Sequence, residues 1–245
     1  MTLKEPVILN DMSGWQRRGG QPRPLAAVLD NALTLLARPF EEGESNVVKP
    51  SNVVNAYAPA MLAMRPESGA ILLYAPLRIF VGSVARKGMW GRLWVRDLLA
   101  KLLDDQLIDL GFEASDYLRL TDLQAAAVGW LAQHQLFARL TDRYGARIRT
   151  LDSETLLACP EAAVAAAAKL YGLRLDERAA QRIAAGPAFT SHSKLGAKFD
   201  AAARAAEREA LELPHLDEIE KVVVWAEAVA ANAGVAIRLG APLLA

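Results

Sequence analysis

Three stretches of the 245-residue sequence set cations beside hydroxyls, two of them with glycines as well, the residue types that hold phosphate or sulfate. The first is VVKPSN, in which Lys49 is followed by Pro50, Ser51 and Asn52. Pro50 disfavours helix at Lys49, so the lysine is expected to end a strand, with Ser51 or Asn52 capping a helix that starts near Val53. A cation at the carboxyl end of a strand, beside a fresh helix start, stands where α/β proteins bind ligands. The second stretch, AILLYAPLRIFVGSVARKGMWG at 70–91, begins with an apolar run bounded by Gly69 and Pro76. That run predicts a strand buried on both faces. Leu77, Phe80, Val81 and Val84 then recur at helical spacing, with Arg78, Ser83, Arg86 and Lys87 around them. Such a junction is either an anion site or a plain strand-to-helix turn with a solvated basic face. The third stretch, GPAFTSHSKLG at 186–196, offers hydroxyls, the imidazole of His192, the ammonium of Lys194 and glycine-freed N–H groups. It either wraps a phosphate or sulfate, or enters a helix near Ala197 capped by Ser191 or Ser193.

The elements that would position these residues are mostly helical. PVIL at 6–9 is expected as a short strand, 13–24 as an exposed loop rich in glycine and proline, and 25–37 as an amphipathic helix. A helix over 53–64, kinked or split at Pro59, leads to the strand at 70–74. Beyond Trp90 a long amphipathic helix precedes another that starts at Asp116 or Thr121 and ends at Tyr144. RIRTL at 147–151 alternates and follows Gly145, as a strand does. A short helix begins over 152–157, and helices from Pro160, over 176–185, 198–212 and 216–232 complete the chain. This order predicts an α/β fold: one domain over 1–245, a parallel sheet flanked by helices, and a helix-rich C-terminal half. His134 falls on or near the face of the long helix that carries its apolar residues, with nothing near it to complete a catalytic set, and is expected in the core or at its boundary.

Lys plus Arg and Asp plus Glu number 28 each, so global charge gives no case for nucleic acid or an anionic membrane. A single cysteine, Cys159, excludes an intrachain disulfide framework and fits a reducing compartment. No apolar stretch reaches the length of a membrane span, and the first residues lack a signal-peptide core, so the cytoplasm is the expected location. Neither a G-x-x-x-x-G-K-[ST] nor a G-x-G-x-x-G motif occurs.

Two junctions in this order, VVKPSNVVNAYAPAMLA and AILLYAPLRIFVGSV, resemble the middle of the sulfotransferase family, which uses the sulfate donor 3′-phosphoadenosine 5′-phosphosulfate (PAPS) on a P-loop-type α/β fold. The resemblance makes Lys49 the strand-end catalytic lysine and sets Ser51 or Asn52 where many members carry a catalytic histidine. It gives Arg78 and Ser83 the donor's 3′-phosphate, as substitutes, since Tyr74 stands at the family's arginine position and Gly82 at its serine position. FTSHSKLG resembles the family's late basic loop, with His192, Ser193 and Lys194 as donor-binding residues. Glu5-Pro6 is similar to the start of the family's second strand, so the resemblance reads the chain as lacking its N-terminal strand and P-loop, with doubtful activity alone. Sulfuryl transfer to a small hydroxyl or amine acceptor is the activity it implies; a homo-oligomer is compatible with it. Two other readings stand beside it. One is a P-loop kinase-like phosphotransferase. The other is a non-catalytic helical interaction module, for which Trp90 and Trp94 would form an exposed aromatic stripe.

Overall fold

In the computed structural model, which describes residues 1–190 and 212–244, helices surround two short parallel strand pairs, a helix-rich α/β fold. Residues group into two units, Met1–Ser68 with Ala100–Leu107 and Gly69–Leu99 with Ile108–Ala245. The one parallel sheet expected from the sequence is two separate two-stranded sheets, one in each unit.

In the first unit β1 (Thr2–Lys4) lies parallel to β2 (Val47–Lys49), with Lys4 opposite Lys49. The expected strand at 6–9 and loop at 13–24 are both corrected: α1 (Val7–Arg17) and α2 (Pro22–Ala37) take these residues, leaving only 18–21 as the turn. Pro6 stands just ahead of α1 and Pro22 opens α2, positions where a missing N–H breaks no helical bond. Leu9 and Met12, three apart on α1, meet Leu29 and Ala32 of α2 and Val54 and Tyr57 of the 3-10 segment Asn52–Tyr57 to form the core. The stretch 53–64 is split beside Pro59, as its missing N–H favours, and α3 (Ala58–Met64) starts there.

In the second unit β3 (Ala70–Tyr74) runs parallel to β4 (Ile148–Asp152), in register from Ala70 opposite Ile148 to Tyr74 opposite Asp152. Leu72 is buried but Leu73 is half exposed, so β3 is not covered on both faces as its apolar run suggests. Pro76 ends the strand and α4 (Leu77–Arg86) starts at the next residue. Then come α5 (Gly88–Asp104), of which 88–99 belong to this unit, α6 (Ala114–Arg119) and α7 (Asp122–Tyr144). Thr121 and Gln124 exchange side-chain and backbone hydrogen bonds at the start of α7, which fixes where the long helix begins. The remaining helices are α8 (Ser153–Ala158), α9 (Pro160–Leu170), α10 (Glu177–Ala184), α11 (Pro187–Thr190) and α12 (Leu216–Ala233). Gly234, left-handed at φ 65°, ends the last of these. At the centre α7 packs against α4, α12 and β4, and the small residues Ala125, Ala126 and Ala127 are buried along it. Val81 and Val84 of α4 and Ile219, Val222 and Ala226 of α12 close the core around it.

Candidate functional site

Lys49 ends β2, as its position before Pro50 requires. Its ammonium is half exposed and 2.6 Å from the Glu5 carboxylate, while the Glu5 N–H donates to the Lys49 carbonyl at 2.7 Å. The lysine's hydrogen bond and charge hold the Glu5 carboxyl below the usual carboxylate range. Ser51 precedes the 3-10 segment but its side chain makes no capping bond, so capping, the plain account of this serine, does not hold. Its hydroxyl lies 3.5 Å from the Asn52 side-chain oxygen. Lys49 and Ser51 belong to the first unit, and Arg78 and Ser83 to the second.

At the end of β3 the Ala75 carbonyl accepts from the Trp130 indole at 2.8 Å, which ties the strand-to-helix junction to α7. Arg78 lies in the first turn of α4, the pre-formed anion-facing end of a helix. It donates to Glu220 at 2.7 Å and to Glu212 at 3.1 Å, and these carboxylates raise its affinity for its proton. Arg86, two turns further on, donates to the other Glu212 oxygen. Glu212 is a buried carboxylate, each of its oxygens accepting one guanidinium N–H, from Arg78 and from Arg86. The Ser83 hydroxyl donates to the Phe80 carbonyl within the helix at 2.7 Å, which leaves Arg78 as the donor of that pair.

The sequence pointed to Arg78 and Ser83 together; the structure joins Arg78 instead to Arg86, Gly82 and Glu212. Arg78, Gly82 and Arg86 fall at i, i+4 and i+8, a signal present in the sequence. Glu212, 134 residues from Arg78, carries no local signal. His192, Ser193 and Lys194 lie outside the described residues, as does nearly all of the expected helix at 198–212.

His134 is in the core, stacked on Trp130 at 3.4 Å between ring centroids and edge-on to Tyr74 at 4.8 Å. Trp90, by contrast, is exposed beside exposed Met89 and Leu93 on α5, and the Lys87 ammonium sits 5.7 Å from its ring and 5.6 Å from that of Trp94. Among the described residues no helix is long and apolar enough to cross a membrane, and no group of three His, Cys, Asp or Glu side chains comes together to hold a metal ion. Compared with known proteins, the chain matches no family model, no curated protein and no solved structure.

Proposed function

We propose that this chain is a sulfotransferase-like α/β protein that binds a 3′-phosphoadenosine donor and serves transfer of its sulfuryl group to a hydroxyl or amine. The observation that carries the reading is the junction at the end of β3: a parallel strand stops at Tyr74, Pro76 turns the chain, and α4 begins with Arg78 in its first turn. That is the arrangement α/β folds use to hold phosphates. A strand-end lysine on the other parallel pair, Lys49, fits the second half of the resemblance. In such a transfer the acceptor's oxygen or nitrogen bonds to sulfur, the bond from sulfur to the bridging phosphate oxygen breaks to release 3′-phosphoadenosine 5′-phosphate, and the acceptor's proton passes to water. Arg78 would hold the 3′-phosphate, its guanidinium meeting the phosphate charge.

Binding of 3′-phosphoadenosine 5′-phosphate (PAP), the desulfated product, tests the reading. Arg78→Ala should weaken it roughly 10- to 100-fold, the loss of a charge-assisted hydrogen bond worth about 1.5–3 kcal/mol. Unchanged PAP affinity in that variant would remove the reading. A second reading, a helical interaction module, draws on exposed Met89, Trp90 and Leu93 of α5. Lys49→Ala would leave partner binding by that face intact.

A further inference from the structure

Arg78, Gly82 and Arg86 share one face of α4, a glycine between two guanidiniums. That face already holds an oxyanion. One Glu212 oxygen accepts from Arg78 at 3.1 Å and the other from Arg86, and the Glu212 side chain is only 5% exposed. Gly82 admits it, because a methyl group at that position would overlap the carboxylate. With Glu220 on Arg78 at 2.7 Å, two cations face two carboxylates among the described residues, and that set is balanced. Removing Glu212 would leave one surplus positive charge beside an open notch in the helix face.

We propose that the Arg78-Gly82-Arg86 face of α4 is a cradle for a phosphate or sulfate group, and that Glu212 is its resident stand-in, displaced when such a ligand binds. The inference rests on the proposed donor reading for its biological ligand, but the cradle's chemistry asks only for a tetrahedral oxyanion. Guanidinium forks match phosphate and sulfate oxygens as they match a carboxylate. A phosphate dianion brings more charge to the pair than Glu212 does. Because the face binds a ligand only while Glu212 is unseated, apparent affinity is lowered by the fraction of time it is seated. Glu212 thus acts as an autoinhibitory contact built into the fold.

The test compares the unsubstituted chain with Glu212→Gln, which keeps the shape and removes the charge, using inorganic pyrophosphate as the probe in titration calorimetry. The variant should bind pyrophosphate roughly tenfold or more tightly. Amide exchange supplies a second measurement that needs no variant: in the unsubstituted chain, saturating pyrophosphate should speed exchange at Leu213, His215 and Leu216, which come directly after Glu212. Equal or weaker binding by a folded Glu212→Gln, or exchange at those amides that is unchanged or slowed, would make Glu212 a permanent strut and overturn the proposal. If the variant does not fold, the exchange result decides alone. The donor reading is judged separately. Tighter pyrophosphate binding by Glu212→Gln without preference for PAP over ATP would keep the cradle and remove the donor reading; selective PAP binding equal in both chains would do the reverse.

Discussion

Arg17→Ala is expected to destabilise the protein by about 3–5 kcal/mol. Arg17 donates to both oxygens of Asp105, from Nε at 3.0 Å and from Nη2 at 2.5 Å, and Nη2 also donates to the Val53 carbonyl at 3.0 Å. The Asp105 side chain is 2% exposed and that of Arg17 11%, so neither charge has water to fall back on. A pair this deep adds little net stability when intact, because desolvation offsets the attraction. Removing one partner is different: the Asp105 carboxyl would be left buried without its guanidinium, and the segment Ala100–Leu107 would lose an ion pair that ties it to the rest of its unit. The Ser13 hydroxyl, which already donates to the same Val53 carbonyl at 3.0 Å, keeps that oxygen partnered but offers Asp105 nothing. Urea denaturation reads the cost directly. A loss below about 1 kcal/mol, the range of an exposed pair, would contradict the burial argument. Replacing both members, with Arg17→Met and Asp105→Leu, should recover most of the loss, since no unpaired charge remains.

Acid is expected to destabilise the second unit through His134. Burial lowers the pKa of this imidazole from 6.5 to about 4, offset in part by a hydrogen bond to the Trp130 backbone, and its Nε2 has no hydrogen-bond partner among the described residues. A histidine whose folded value is depressed is neutral in the core and prefers the unfolded chain once protonated. Its contribution is therefore fully present above pH 6.5 and is lost as pH falls toward 4. The shift of 2.5, from 6.5 − 4, is worth about 3 kcal/mol at 1.36 kcal/mol for each unit of pH. Unfolding free energies measured at pH 7 and pH 4, for the unsubstituted chain and His134→Leu, isolate this contribution. Carboxylate titration is common to both and cancels. The unsubstituted chain should lose about 3 kcal/mol more than the variant over that interval. Equal losses would mean that the ring reaches water or a partner when protonated.

Helix content was legible from apolar spacing, and the errors have local causes. PVIL reads as a strand because four apolar residues carry no period of their own. In the fold Val7 and Ile8 face solvent while Leu9 and Met12 are buried, the i, i+3 spacing of a helix. Gly14 hides this by making 13–24 look like a loop, although only the turn around Gly19, with φ 86°, needs glycine there. The strands at 70–74 and 147–151 were visible, and each ends within a residue of expectation. Their place in one parallel sheet was legible too, since β3 pairs with β4; the separate pairing of β1 with β2 was not, because the short strand expected at 6–9 falls at the start of α1. The same holds for the candidate site. Arg78 and the strand-ending Lys49 follow from local rules, but the partners that set their chemistry, Glu212 and Glu5, come from distant sequence.

Titration calorimetry of the unsubstituted chain with PAP, alongside ATP, tests the donor reading most directly. The account predicts that PAP binds and that ATP, which lacks a 3′-phosphate for Arg78, binds far more weakly. Silence toward both nucleotides, or equal affinity for the two, would contradict it.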